Sequence, residues 1–304
     1  MSVNLKELTH KSNPLTEGHR MCPGCGAPTA IRQALMAVED PVVVVGATGC
    51  MEVSTTVYPY SSWQVPFMHV AFENAGAGIS GVEAAYRALR RNGRTKENIK
   101  FVSFGGDGGT YDIGLQSLSG ALERGHDFTY ICYNNQGYMN TGAQRSSATP
   151  LSANATTSPA GSVIPGKLQR AKDLTEIVAA HNIPYVAQTT LHNPADLISK
   201  VKRAVETPGP AFVNILAPCV LFWKIEPQEQ MKLCSLAFLM GNFRPVENYF
   251  EDTLYLQSFE ARRMLSYMLD IHMATCKDNL SQLADMGILD INDTRIRLCD
   301  NIDA

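Results

Sequence analysis

The chain has 304 residues, 45% of them apolar and 18% charged, with a formal net charge of −3. That is enough chain to bury a large core, and the balanced composition excludes a disordered protein, while no apolar run of about 18 residues exists to cross a membrane. No Lys/Arg block or basic stripe is present, so nucleic acid is not an expected partner. The opening MSVNLKELTHKSNPLTEGHR lacks the apolar stretch of a secretory signal, and a reducing, cytoplasmic setting is expected. In that setting eight cysteines are not a disulfide framework and need another explanation.

Residues 1–224 read as alternating strands and helices, the pattern of a mostly parallel sheet in an α/β fold. The β-branched run at 41–46 predicts a buried strand. Residues 57–72 are aromatic-rich and irregular, and Tyr58, Tyr60, Trp63 and Phe67 read as core or subunit contact. The spacing of Ile79, Val82, Tyr86 and Leu89 predicts a helix over 74–91. A strand at 99–106, a helix at 112–124 and a strand at 128–135 follow. Residues 136–171 are rich in Ser, Thr, Ala, Gly and Pro and show no period; a loop that long is functional or disordered. A helix at 172–181, a strand at 183–188, a helix at 194–206 and a strand at 211–216 complete a module over 1–225. Helices are expected at 228–240 and 257–286, with no further strong strand. Residues 226–304 therefore read as a helical extension, and it is acidic: 225–304 carry 7 Lys and Arg against 13 Asp and Glu.

The segment Gly105-Gly106-Asp107-Gly108-Gly109 falls where a strand ends and a helix begins. Glycines there let backbone N–H groups approach a phosphate, and a helix N-terminus favours negative charge. A carboxylate among them would repel a bare diphosphate, so Asp107 makes sense as the holder of a divalent cation that binds the diphosphate oxygens. Asn134-Asn135 ends the next strand and Gly137 can add a backbone carbonyl. This spacing resembles the thiamine diphosphate signature, whose Asp and second Asn bind the metal.

Cys22-Pro-Gly-Cys25, Cys50 and Cys219 all fall at the ends of strands or in loops. Thiolates grouped in this way suit one zinc ion or an iron–sulfur cluster. A thioredoxin-like CxxC would leave Cys50 and Cys219 unexplained. A thiamine-dependent oxidation releases electrons that a nearby iron–sulfur centre can accept singly, whereas zinc has no redox chemistry, and the combination favours a cluster. Cys132, mid-strand, reads as a small buried hydrophobe, and Cys234, Cys276 and Cys299 have no partner spacing.

The motifs GHRMCPGCGAP, GATGCMEVS, FGGDGGTYDIGLQSLSGALERGH, YNNQGYMNTGAQRS and APCVLFW together resemble the β subunits of the 2-oxoacid:ferredoxin oxidoreductases, over roughly residues 1–225. The resemblance implies a Rossmann-like thiamine diphosphate-binding module with one [4Fe-4S] cluster held by Cys22, Cys25, Cys50 and Cys219. It also implies Mg²⁺ on Asp107, Asn135 and the carbonyl of Gly137, with Gly106 and Gly108 shaping the diphosphate loop. Asn140 matches a family asparagine near the thiazolium, where it acts on the substrate oxygen. Glu52 either touches the diphosphate region or caps a segment, and His19 and His69 are candidates for proton transfer or cluster tuning.

Only the diphosphate-binding half of a thiamine site is recognisable, so a pyrimidine-binding α subunit is expected to complete it. The resemblance adds ferredoxin-like γ and δ subunits and ferredoxin as partners, a 2-oxo acid (pyruvate first, oxalate in a related branch) as substrate, and coenzyme A as acyl acceptor. The alternative outside this family is a non-redox thiamine-dependent decarboxylase or lyase with a Cys₄ zinc site.

Overall fold

The computed structural model describes residues 6, 10, 11, 13–238 and 243, together with the backbone of 239, 246, 247, 289–292 and 295–298. It divides into two compact units, Met1–Thr253 and Leu254–Ala304. The first therefore continues past the boundary expected at residue 225, because Cys234 and Phe243 are buried in its core.

In chain order the elements that build the first unit are α1 (Gly26–Met36), β1 (Val42–Ala47), α2 (Cys50–Thr55), β2 (Phe67–Val70), α3 (Ala75–Arg91) and β3 (Lys100–Gly106). A π-helical turn (Gly108–Ile113) leads into α4 (Leu115–Glu123), followed by β4 (Thr129–Asn134), α5 (Leu174–Ala179), β5 (Tyr185–Thr190), α6 (Pro194–Glu206) and β6 (Ala211–Leu216). Then come α7 (Gln230–Leu239) and a short strand, β7 (Val246–Glu247).

The strands form one sheet in the order β2-β1-β3-β4-β6-β5-β7. The first six are mutually parallel, and β7 pairs antiparallel with the edge of β5 through Gln188 and Val246. Every residue of β4 and β6 is buried, as continuous apolar runs between two helical layers should be. One layer packs Ile31 of α1 and Leu197 and Val201 of α6 against the sheet; the other packs Ile79 of α3, Leu118 of α4 and Leu174 of α5. Helix α6 starts at Pro194 behind Asn193, whose side chain accepts a hydrogen bond from the Asp196 N–H, an ordinary N-cap.

Several elements depart from the sequence reading, the short α2 and β7 among them. Helix α1 has no counterpart in it, although Ala27, Ala30, Ile31, Ala34 and Leu35 are buried at helical spacing. The stretch read as irregular contains β2, in which Phe67 stacks on Trp63 at 4.5 Å, while Tyr58 and Tyr60 lie exposed. In the second unit β8 (Leu289–Asn292) and β9 (Arg295–Leu298) pair antiparallel, where no strand was expected. Both alternate apolar and polar residues, the period-two signal of a half-buried strand. The helix expected at 257–286, and Cys276 and Cys299, lie outside the described residues.

Candidate cofactor site

Parallel strands deliver their carboxyl ends to one edge of a sheet, where open α/β folds bind ligands. Here β1, β3, β4 and β6 are consecutive neighbours. The residues that follow them include Cys50, Asp107, Asn135 and Cys219, so sequence positions up to 169 apart converge at one edge because of strand order.

A cleft of about 520 Å³, open mouth included, lies at this edge. It is lined by residues 48–50, 106–108 and 137–141, with Phe72, Tyr133 and Asn135. Gly108 is required locally: a Cβ there would stand 2.6 Å from the ring of Tyr138, whose hydroxyl donates to Asp112 Oδ2 at 2.8 Å.

Asp107 is buried, and burial above all pushes its carboxyl up to about 7, against the hydrogen bonds that favour the anion. The backbone N–H of Asn135 donates to its Oδ1 at 3.1 Å, and the Ser146 hydroxyl donates to Oδ2 at 2.5 Å. The end of the Asn135 carboxamide that faces this carboxylate stands 2.9 Å from Asp107 Oδ1 and 2.8 Å from the Gly137 carbonyl oxygen. Asp107, Asn135 and Gly137 are thus brought together around one point, with Asn140 at the mouth of the same cleft.

The loops that carry the four cysteines are neighbours, close enough for the charges of Cys22, Cys25 and Cys219 to act on Cys50. Cys25 precedes α1, Cys50 opens α2, and Cys219 follows β6; the Cys25 N–H donates to the Cys22 carbonyl at 3.0 Å. The N–H of Gly26 donates to the carbonyl of Pro218 at 3.3 Å. A Cβ on Gly26 would stand 2.9 Å from the carbonyl carbon of Ala217, so glycine lets the two cysteine loops touch. Burial, and then the charge of the neighbouring cysteines, pushes the Cys50 thiol up to about 12. Burial likewise pushes Cys25 to about 11, and Cys22 and Cys219 add to it. Cys50 belongs to both sets, since it also lines the cleft. Cys132 is fully buried, as the sequence suggested, and Cys234, for which the sequence offered no partner spacing, lies in the core.

Glu52 is placed elsewhere. It is buried, accepts from the Thr56 hydroxyl at 2.7 Å, lies 3.5 Å from His69 Nδ1, and does not line the cleft. The other ring nitrogen of His69 is 2.7 Å from the Thr48 hydroxyl, which does line it. Three contributors escaped sequence reasoning. Ser146 sits in the loop without a period, Thr48 precedes the Gly-Cys turn, and Gln230 of α7 donates to the carbonyls of Gly24 (2.8 Å) and Pro218 (3.3 Å), tying the two cysteine loops together. Gln230 carried no signal, because its role depends on a contact 206 positions away along the chain.

A parallel sheet whose central strands end in a Gly-Asp-Gly loop and an Asn-Asn pair over a shared cleft defines a module for a diphosphate-bearing cofactor. Residues 47–215 match the family model of the thiamine pyrophosphate enzyme C-terminal domain, the one that binds thiamine pyrophosphate. The chain is 49% identical over 247 residues to pyruvate synthase subunit PorB of Thermotoga maritima, covering 78% of this chain and 76% of that one. It is 51% identical over 229 residues to the subunit of the same name from Methanocaldococcus jannaschii, covering 74% and 76%. A solved 2-oxoglutarate:ferredoxin oxidoreductase chain from Magnetococcus marinus shares the fold, with a TM-score of 0.58 at 22% identity over 70% of each chain. The chain belongs to the thiamine pyrophosphate-binding β subunits of the 2-oxoacid:ferredoxin oxidoreductases.

Proposed function

We propose that the chain supplies the diphosphate-binding half and the first electron acceptor of a cytoplasmic pyruvate:ferredoxin oxidoreductase. Pyruvate and coenzyme A would give acetyl-CoA, CO₂ and a proton, with two electrons leaving singly for ferredoxin. The observation that carries this reading is that Cys50 and Asp107 line one cleft, so a cluster on the cysteines and a diphosphate over Asp107 would be neighbours.

The residues around Asp107 fit the diphosphate's cation, and the contact between the two cysteine loops at Gly26 and Pro218 supports the cluster. Octahedral Mg²⁺ holds oxygens at about 2.0–2.1 Å, which sets adjacent ligands about 3 Å apart. The Asn135 carboxamide oxygen, turned toward Asp107 and Gly137, would stand at 2.9 and 2.8 Å from its two neighbours. A buried carboxylate raised to about 7 also gains most from a cation beside it. Among the described residues no three Cys, His, Asp or Glu side chains close on a point that a single ion would fill.

Thiamine pyrophosphate supplies the electron sink for decarboxylation, and an iron–sulfur cluster accepts single electrons. Asp107, Asn135 and Gly137 hold the diphosphate's cation, and Gly106 and Gly108 leave room for its oxygens. Cys22, Cys25, Cys50 and Cys219 hold the cluster. Asn140 can donate to a substrate oxygen from the cleft mouth. A pyrimidine-binding α subunit would close the cleft, and ferredoxin-like γ and δ subunits would carry the electrons on.

The test is co-expression with the α subunit and anaerobic purification. Iron, sulfide and thiamine pyrophosphate should appear together, Cys50→Ser should remove one cluster's worth of iron, and pyruvate should be the preferred substrate over 2-oxoglutarate and oxalate. One zinc and no iron on this chain would overturn the redox reading, and turnover of oxalate alone would overturn the choice of substrate.

A further inference from the structure

Lys167 is among the largest fully buried side chains of the protein, at 1% exposure. Lysine is almost never buried to this degree unless paired. Its hydrogen-bond partners among the described residues are two carbonyls and no carboxylate: Nζ donates to Thr149 O at 2.5 Å and to Ser147 O at 3.3 Å. Both carbonyls belong to the 146–149 turn, within the long loop that has no regular structure of its own.

That turn is held from several sides. The Thr149 hydroxyl donates to Gln136 O at 2.7 Å and accepts from Ser146 N at 2.9 Å. The Lys167 backbone is tied to the same loop, its N–H donating to Ala153 O and its carbonyl accepting from Ser152 N. The preceding Gly166 has φ +107°, and a Cβ there would stand 2.6 Å from Ala153 O, so the chain can bring Lys167 inward only with glycine at that point. The turn reaches the cleft only through Asp107, whose Oδ2 accepts from the Ser146 hydroxyl at 2.5 Å.

We propose that Lys167 is a positioning residue: by clamping the 146–149 turn it holds the Ser146 hydroxyl on Asp107 and so sets how tightly this site grips a divalent cation. An ammonium suits the task because its three donors can gather several carbonyls of an irregular loop at once. A hydroxyl fixed on one carboxylate oxygen keeps the other aimed at the point shared with Asn135 and Gly137. This inference rests on the reading of Asp107 as a cation ligand.

The experiment uses the assembled complex, freed of divalent cation with EDTA and titrated with Mn²⁺ by electron paramagnetic resonance in the presence of thiamine pyrophosphate. Lys167→Met should weaken Mn²⁺ binding about tenfold, the lower end of the cost of losing a group behind a metal ligand. Ser146→Ala should weaken it by a similar factor, and the double variant no more than either alone, since both remove the same contact. A purely structural lysine would lower the thermal midpoint and leave the Mn²⁺ affinity unmoved. Affinity within about twofold of the parent in Lys167→Met, or losses that multiply in the double variant, would overturn the proposal. Should Lys167→Met fail to assemble, Lys167→Gln keeps two of the three donors and should show an intermediate loss; unchanged affinity there has the same overturning force. Asp107→Asn separates the two levels. If it too leaves Mn²⁺ binding intact, the ligand reading fails and this proposal with it; if it abolishes binding while Lys167→Met does nothing, only the positioning role fails.

Discussion

Substituting Gly26 by alanine tests the junction on which the cysteine cage depends. The new Cβ would stand 2.9 Å from Ala217 C, 3.0 Å from Pro218 N and 3.1 Å from Ala217 Cα. All three are backbone atoms, so no side-chain rotation relieves the clash and one loop must move. Overpacking of this kind costs about 1–3 kcal/mol. The displaced loop would also lose the Gly26–Pro218 hydrogen bond, already long at 3.3 Å, worth about 0.5–1.5 kcal/mol. Alanine's better helix propensity returns at most about 1 kcal/mol, and less at the first residue of α1 than in a helix interior. The clash wins, and a net loss of about 1–3 kcal/mol should lower the thermal midpoint by several degrees at about 2–4 °C per kcal/mol. Because the loops that part carry Cys25 and Cys219, iron bound per chain after anaerobic purification should fall further than this modest loss of stability explains. Full iron content with an unchanged or raised midpoint would show that the two loops do not need this contact.

Three further outcomes follow from the same geometry. Gln230→Ala should leave the fold intact but make the proposed cluster more labile in air, since the side chain that joins the Gly24 and Pro218 carbonyls is gone; iron loss at the parental rate would count against that role. Gly108→Ala should weaken thiamine pyrophosphate binding at least tenfold in an equilibrium titration, because its Cβ would strike the Tyr138 ring at 2.6 Å and displace the wall of the cleft. In cation-free protein, Asp107 is raised from 3.8 to about 7 on folding, so the neutral carboxyl stabilises the fold fully below pH 3.8, and that contribution is lost as pH rises toward 7. Mg²⁺ must displace the proton, so its affinity should climb with pH up to about 7 and then level off, and a flat profile in calorimetric titration would exclude Asp107 as the competing group.

Much of this molecule was legible in local pattern. Buried strands such as β4 and β6 announce themselves as apolar runs, and α3 and α6 by their spacing. Helix α1 carried the same kind of spacing, with Ala27, Ala30, Ile31, Ala34 and Leu35, beside a Cys-Pro-Gly-Cys motif. The strand β2 is short and has no alternation in burial, so its place beside β1 comes from pairing rather than from propensity. Glu52 shows a different limit: its position two residues after Cys50 left the diphosphate region and a cap both open, and those two helical residues, about 200° of rotation, turn it away from the cleft toward Thr56 and His69.

By itself the amino-acid sequence determined the chemistry available: a Gly-Asp-Gly loop, an Asn-Asn pair and four cysteines at element ends, residue types whose affinities for cations, phosphates and soft metals are intrinsic. The tertiary structure decided that the Gly-Asp-Gly loop, Asn135 and Cys50 line one cleft. Strand order sets β1, β3, β4 and β6 side by side, so their carboxyl ends emerge at one edge, and Cys50 thereby lines the same cleft as Asp107. It also decided which remote groups serve that site: Gln230 on the cysteine loops and Ser146 on Asp107. Such contacts depend on three-dimensional proximity between segments far apart in sequence, and no local spacing encodes it.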